Sequence, residues 1–241
     1  MSKEMLRLDK VLSNSGIGSR KDVKAIIKQG LVTINGSIVK DPAFQFNPLE
    51  SEILIDGNQL NYKKYIYIMM NKPQGVISAT YDGRHKTVIN LLPGEFENIE
   101  LFPAGRLDID TEGFILLTND GDFAHEILSP KKHVPKTYYA VIDGKIGEND
   151  VQKFKQGIAL DDGYKCMPAE LIIIKSAEVS EIELVIHEGK FHQVKRMFEA
   201  IGKKVAYLKR VAIGGLKLDE TLELGECREL MDEELKIITK M

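Results

Sequence analysis

A short stretch near the middle of the chain combines charged side chains with glycines in a way that suits catalysis. Gly105-Arg106-Leu107-Asp108 is followed by Ile109-Asp110-Thr111-Glu112-Gly113, so one arginine and three carboxylates lie between glycines. The apolar residues 114–118 then lead into Asn119-Asp120-Gly121, a pattern that predicts a buried strand entering a tight reversal. Asp108 would lie on a loop held by a rigid sheet, where a carboxylate can act as nucleophile or general base.

The same acids allow other interpretations. Asp108, Asp110 and Glu112 could be solvated loop carboxylates, or they could bind Mg²⁺ as in a metal-dependent nuclease. A glycosidase would need two facing carboxyl groups roughly 5–9 Å apart, and no distinct second acid stands out in the sequence. These residues alone leave the choice open, so the rest of the chain must decide it.

Composition bounds the class of protein. The chain has 241 residues, 43% of them hydrophobic and 29% charged, which is typical of a soluble globular protein of one or two domains. No apolar run reaches the roughly 18 residues of a membrane span, and no signal peptide is apparent, so we expect a cytoplasmic protein with no membrane partner. Cys166 and Cys227 lack metal-ligand spacing. We expect them to be packing residues, and we expect neither a disulfide framework nor a zinc site.

Charge is distributed unevenly along the chain. The net charge is −3, but the segment through Lys40 carries eight basic and three acidic residues and is therefore +5, which leaves −8 for the remainder. This asymmetry predicts a basic RNA-binding module joined to a more acidic domain. The alternative is an ordinary solvated surface with uneven charge.

The basic segment has the pattern of two short helices and a small sheet. Leu8, Val11 and Leu12 form one helical stripe, and Ser19 is the predicted N-cap of a second helix that stops at Gly30. Asn35-Gly36 predicts a hairpin. A last strand at 53–55 closes a domain that we assign to residues 1–60, with residues 61–64 as a linker.

This module resembles an S4 RNA-binding domain. The resemblance lies in Arg7-Leu8-Asp9-Lys10, in Ser19-Arg20, and in the run from Gly30 to Gly36. It implies that the exposed basic side chains meet an RNA phosphate backbone. The candidate RNA-binding residues are Arg7, Lys10, Arg20, Lys21 and Lys24.

Residues 65–241 form the second predicted domain, in which many short strands alternate with helices. Residues 136–141 predict a strand on which Tyr138 and Tyr139 point to opposite faces, so one can face a cleft. Residues 131–136 predict a basic rim. Further along, a helix carries Lys195 and Arg196 away from its apolar face, and either could reach Asp108. The chain after this helix predicts strands at 205–208 and 211–215, followed by a terminal amphipathic helix over 231–241.

The whole of this second domain resembles the pseudouridine synthases, and most of all the RsuA group that acts on small-subunit ribosomal RNA. Four blocks carry the resemblance: Gly105-Arg106-Leu107-Asp108 with the run that ends at Gly121, Asn71-Lys72-Pro73-Gln74-Gly75, Lys136-Thr137-Tyr138, and His192-Gln193-Val194-Lys195-Arg196-Met197. The resemblance implies isomerisation of a uridine to pseudouridine without cofactor or metal. It also implies an α+β fold with a mixed, largely antiparallel sheet.

The resemblance assigns a role to four residues. Asp108 would be the essential carboxylate, as nucleophile or general base, and Lys195 would keep it ionised and oriented. Tyr138 would stack on the extruded ring, and Arg106 would fill the space of the displaced base or hold phosphates. We expect a monomer that acts on 16S ribosomal RNA in a small-subunit assembly intermediate. The alternatives are an enzyme for large-subunit (23S) RNA and a non-catalytic S4-type RNA-binding protein.

Overall fold

The computed structural model describes residues 5–239, apart from the side chain of Pro130. The described chain divides into two compact units. The N-terminal unit consists of residues up to Ile66 together with Leu92–Leu101, and the second unit consists of Tyr67–Leu91 and the residues from Phe102 onward. No helix of the described residues is long and apolar enough to cross a membrane.

Two helices hold the core of the N-terminal unit. Their apolar sides, including Leu8, Leu12 and Ile27, are fully buried. The second helix begins as predicted, because the Ser19 side chain and Asp22 form a reciprocal capping box. The elements are β1 (Leu6–Arg7), α1 (Leu8–Asn14), α2 (Arg20–Lys28), β2 (Val32–Ile34), β3 (Ser37–Ile38), β4 (Gln45–Phe46), β5 (Ile53–Ile55), β6 (Asn58–Gln59) and a 3-10 turn (Gly94–Phe96).

The predicted hairpin is present. Asn35 and Gly36 have φ angles of 50° and 77°, the left-handed pair of a two-residue hairpin turn. β2 pairs with β3 across this turn and with β5 on its other side, and β6 follows β5 in the same sheet. β1 pairs separately with β4.

Nine strands within residues 67–239 form the sheet of the second unit. They are β7 (Tyr67–Lys72), β8 (Phe102–Pro103), β9 (Glu112–Thr118), β10 (Lys136–Asp143), β11 (Glu170–Lys175), β12 (Val179–Ile186), β13 (Lys204–Ile213), β14 (Leu216–Lys217) and β15 (Cys227–Glu229). The order is β11-β12-β10-β13-β9-β7-β15, with β14 beside β13 and β8 beside β9. The β9–β13 pair is parallel and the other pairs are antiparallel. The expected α+β fold with a mixed, largely antiparallel sheet is therefore confirmed.

Helices cover the sheet and complete the core. They are α3 (Gly121–Leu128), α4 (Glu148–Gln156), α5 (Gln193–Glu199) and α6 (Asp232–Thr239), with 3-10 turns at Ile89–Leu91 and Pro130–Lys132. One core cluster joins Phe114 and Leu116 of β9 to Ile127 of α3 and Ile238 of α6. The terminal helix was predicted to reach Met241, which lies outside the described residues.

After β9 the chain turns into the helix predicted there, because the Asp120 carboxylate accepts bonds from the N–H groups of Asp122 and Phe123 and caps α3. One strand prediction was wrong. The strands predicted at 205–208 and 211–215 are one strand, β13. The polar residues between them suggested a break, but Arg210 is buried and donates to the carbonyl of Phe114 at 2.7 Å.

Candidate active site

A cavity of about 950 Å³ opens in the second unit beside the sheet. Most of its wall comes from the loop before β9, the neighbouring strands β10 and β13, the loop that leads into α5, and residues 77–80. Its lining includes Arg106, Asp108, Tyr138, Phe191, His192 and Lys195. All four residues assigned by the resemblance thus lie on one cavity.

Asp108 and Lys195 form an ion pair at this cavity, although they lie far apart in the sequence. The Lys195 Nζ lies 3.2 Å from Asp108 Oδ2, and it also contacts Asp110 Oδ1 at 2.5 Å. A third group approaches from the loop that leads into α5, because His192 Nε2 lies 3.6 Å from Asp108 Oδ1. One carboxylate therefore has a cation on one side and an imidazole on the other.

Charge pairing decides the ionisation of Lys195 and Asp110. Partial burial alone would lower the pKa of Lys195, but the carboxylates of Asp110 and Asp108 outweigh that effect and raise it. The hydrogen bond from Lys195 correspondingly lowers the pKa of Asp110. Lys195 thus stays cationic at neutral pH while it holds the loop that carries Asp108.

Lys72 anchors the loop that carries Asp108 through hydrogen bonds to backbone carbonyls. Its side chain is fully buried, and its Nζ donates to the carbonyl oxygens of Pro73 (3.0 Å), Asp108 (3.0 Å) and Thr111 (2.8 Å). Burial lowers the pKa of Lys72 to about 8, against the opposing effect of nearby carboxylates. All three donor positions of the ammonium are used, which fits an architectural role for the Asn-Lys-Pro block.

Tyr138 and Tyr139 diverge as strand geometry requires. Tyr138 is buried and lines the cavity, directly across β10–β13 from Arg210. Tyr139 lies on the other face, where its hydroxyl donates to Glu181 at 2.8 Å and its ring meets Tyr207 edge-on. Arg106 is exposed at the cavity edge. Of the two tyrosines between which the residues left the choice open, Tyr138 is the one that faces the cavity.

The loop before α5 contains a network around a buried carboxylate that the sequence did not reveal. The Glu188 carboxylate accepts bonds from the Tyr164 hydroxyl (2.6 Å), the Met167 N–H (2.8 Å) and the Gln193 side-chain amide (2.9 Å). Gln193 in turn accepts from the Lys190 N–H at 2.9 Å. The sequence feature that could have indicated this network is the block from Glu188 to Gln193. Its two polar end residues are spaced so that their side chains can bond across one loop.

Arg196 and Lys136 differ from what their neighbours in sequence suggest. Arg196 turns away from Asp108 and pairs with Asp161 and with Asp162, the latter at 2.7 Å. The prediction that Lys136 belongs to a basic rim was wrong. Lys136 is buried and donates to the carbonyls of Ile127 (3.0 Å) and Val134 (2.7 Å), and this burial lowers its pKa to about 8.

The acids near Asp108 have separate partners. Asp110 bonds Lys195, whereas Glu112 accepts from the Tyr207 hydroxyl at 2.5 Å. Across residues 5–239, no group of three or more His, Cys, Asp or Glu side chains is arranged to hold a metal ion. Cys166 is buried and Cys227 is half-buried, and neither forms a disulfide.

The basic residues of the N-terminal unit lie on its surface. All of the predicted RNA-binding side chains are exposed: Arg7, Lys10, Arg20, Lys21 and Lys24. Arg7 is paired with Asp9 through two hydrogen bonds of 3.0 and 2.8 Å. Arg20 lies 3.9 Å from Glu100. Lys10, Lys21 and Lys24 extend from the two helices.

Comparison with known proteins agrees with this organisation. Residues 66–200 match the model of the RNA pseudouridylate synthases, and residues 6–49 match that of the S4 domain. The chain is 50% identical to an uncharacterized RNA pseudouridine synthase of Bacillus subtilis, over 98% of this chain and 99% of that protein.

Other relatives are named for one or the other ribosomal subunit. The chain is 40% identical to ribosomal small subunit pseudouridine synthase A of Vibrio vulnificus (98% and 100% covered). It is 39% identical to ribosomal large subunit pseudouridine synthase B of Bacillus subtilis (96% and 95% covered). A crystal structure of a pseudouridylate synthase superposes with a TM-score of 0.68 at 37% identity, over 97% of this chain and 99% of that one.

These matches extend over both units. The chain belongs to the RNA pseudouridylate synthase family, and its S4 domain and full-length similarity are those of the RsuA type. The resemblance stated from the sequence motifs is confirmed at this level.

Proposed function

We propose that this pseudouridine synthase modifies one uridine of small-subunit (16S) ribosomal RNA, with Asp108 as the essential carboxylate. The observation that carries the proposal is the Asp108–Lys195 ion pair of 3.2 Å on the wall of a cavity that also presents Tyr138. Ribosomal RNA as substrate would place the reaction in the cytoplasm, on an assembly intermediate of the small subunit, with the protein acting as a monomer.

The reaction conserves atoms, because the N-glycosidic bond to N1 breaks and a bond from the same sugar carbon to C5 forms. The proton on C5 is lost and N1 gains one. Asp108 would act at the ribose, either by attack on the sugar carbon or by removal of a ribose proton, and both roles use the carboxylate as an anion. Lys195 would balance that charge and fix its position.

The other side chains would manage the base. Tyr138 would stack on the uracil ring in the cavity, and Arg106 would fill the position that the uridine leaves or hold a phosphate at the edge. The exposed cations of the S4 domain, Lys10, Lys21 and Lys24 with Arg7 and Arg20, would bind the RNA backbone. No cofactor or metal ion enters this scheme.

Large-subunit RNA is the second candidate substrate, because a relative named for the large subunit is as similar as one named for the small subunit. A nucleotide-resolution pseudouridine map of both ribosomal RNAs distinguishes them. Cells that lack the protein should lose one 16S site, and wild type but not Asp108→Asn should restore it. Loss of a 23S site would move the substrate to the large subunit. Unchanged maps would favour a non-catalytic RNA-binding protein.

A further inference from the structure

The loop before α5 presents an aromatic surface that the proposed reaction does not use. Phe191 is 67% exposed, one of the most exposed large apolar side chains in the described part of the second unit. Its ring lies parallel to that of His192, with centroids 3.8 Å apart and planes inclined by 17°. Both residues line the cavity.

Hydrogen bonds hold the loop that carries this aromatic pair. Both run through the Gln193 side chain, whose amide group donates to the Glu188 carboxylate and whose oxygen accepts from the Lys190 N–H. His192 has a φ of 49°, in the left-handed region that non-glycine residues rarely adopt. Such conformations persist where surrounding contacts enforce them, often at ligand sites. The two rings are therefore preorganised before any ligand arrives.

The surroundings indicate what the free face of Phe191 would bind. Lys190 precedes it and is exposed, and Arg106, which is also exposed, lines the same cavity. An exposed aromatic ring among cations suits a nucleobase with its phosphate, because every base offers a π-face and the cations meet the backbone. His192 connects this surface to the reacting carboxylate, since its Nε2 lies 3.6 Å from Asp108.

We propose that the Phe191–His192 pair is a stacking site for the nucleobase that adjoins the target uridine in the RNA chain. The target base itself is assigned to Tyr138, which is buried within the cavity, whereas Phe191 lies at its exposed edge. When the uridine leaves its helix, its neighbour loses a stacking partner. Phe191 replaces that partner and favours the extruded state. This site rests on the proposed function for its choice of RNA.

The test pairs protein variants with altered RNA. Substrate RNAs carry a single abasic nucleotide on the 5′ or the 3′ side of the target uridine, and kcat/KM is measured for wild type, Phe191→Leu and Phe191→Tyr. We expect Phe191→Leu to lower kcat/KM roughly 10-fold on unaltered RNA. Phe191→Tyr keeps a flat ring and should remain within about twofold. On one of the two abasic RNAs, the kcat/KM of wild type should fall by a similar factor. On that RNA, Phe191→Leu should cause no further reduction of kcat/KM.

A binding measurement separates this site from the catalytic proposal. 2-Aminopurine is placed at the adjoining position, and its fluorescence is followed on binding in an Asp108→Asn background. Quenching that disappears with Phe191→Leu supports the site even if no pseudouridine forms. Leu224→Ala is the control, because Leu224 is an exposed apolar residue that does not line the cavity, and it should change neither readout.

Three results would overturn the stacking site. One is equal quenching in Phe191→Leu and wild type. Another is a Phe191→Leu loss of the same size on unaltered RNA and on both abasic RNAs, because the ring would then act within the protein. The third is a loss seen only with ribosomal particles and not with naked RNA, because Phe191 would then contact a protein.

Discussion

At the scale of single residues, the side chain that distinguishes this site is Lys195, which bridges Asp108 at 3.2 Å and Asp110 at 2.5 Å. Lys195→Met would leave two carboxylates side by side without their cation. We expect kcat to fall roughly 100-fold, the scale of losing one preorganised electrostatic partner. Lys195→Arg should retain more activity than Lys195→Met, since a guanidinium also reaches carboxylates. Single-turnover assays on the substrate RNA measure both.

Arg196→Met is the matched control for this substitution. Arg196 is the next residue on α5, but it pairs with Asp161 and Asp162 and not with Asp108. Arg196, Asp161 and Asp162 do not line the cavity, so kcat should be unchanged. Ion pairs to exposed carboxylates stabilise a protein by about 0–1 kcal/mol. Equal reductions of kcat in the two variants would mean that α5 tolerates no removal of charge, and the specific role of Lys195 would be withdrawn.

At the scale of elements, Lys72 couples strand β7 to the loop of Asp108 and makes stability depend on pH. Its pKa is about 8 in the folded chain, because of burial, and its ordinary value is 10.5. Between these values the unfolded chain binds more protons, so the free energy of unfolding rises with pH, by at most about 1.4 kcal/mol per pH unit. Lys72→Met should remove this contribution, as urea unfolding from pH 8 to 10 would measure.

The control for Lys72→Met is the same substitution at a lysine that is not buried. Lys217 is exposed on β14, so Lys217→Met should keep the pH dependence of wild type. Lys136 is also buried with a pKa of about 8, and it remains in both variants, so some rise persists in each. Identical slopes for Lys72→Met and wild type would show that Lys72 keeps its proton throughout this range.

The elements also show how far the sequence could be read. Periodicity and turn chemistry are local, so the capping box at Ser19 and the hairpin at Asn35-Gly36 were predicted correctly. β13 was divided in two because the burial of Arg210 depends on the Phe114 carbonyl, 96 residues away. Lys136 is a different case, because it donates to carbonyls only nine and two residues away, at Ile127 and Val134. Its burial depends on the strands paired on either side of β10, and neither such pairing nor a hydrogen bond to a distant carbonyl leaves a local pattern in the sequence.

At the scale of the whole molecule, the cluster of exposed basic side chains and the proposed catalytic residues belong to different units. The cations of α1 and α2 lie in the N-terminal unit, whereas Asp108 and Lys195 line a cavity of the second unit. The residues on that cavity were grouped in advance mostly by resemblance, because the motifs lie far apart in sequence. The helix pattern alone predicted only that Lys195 or Arg196 could reach Asp108. The charge asymmetry, in contrast, was visible from residue counts, since a sum over a segment needs no knowledge of its partners.

This separation predicts that RNA affinity can be weakened without slowing the chemical step. The double variant Lys21→Glu/Lys24→Glu reverses two exposed charges on α2. RNA affinity should fall, and the slope of log K against log salt concentration should shrink by about 0.7–0.9 for each phosphate that the variant no longer neutralises. The rate at saturating RNA should stay as in wild type. Fluorescence anisotropy between about 50 and 200 mM salt and single-turnover rates measure the two effects.

The matched control carries the same charge change in the other unit. Lys153→Glu/Lys155→Glu reverses two exposed lysines on α4 and should leave the salt slope unaltered, because α4 belongs to the second unit. If both double variants weaken RNA binding alike, net charge rather than the S4 surface governs affinity, since a long-range field acts on the RNA regardless of where the charge lies. The RNA-binding assignment of Lys21 and Lys24 would then fail.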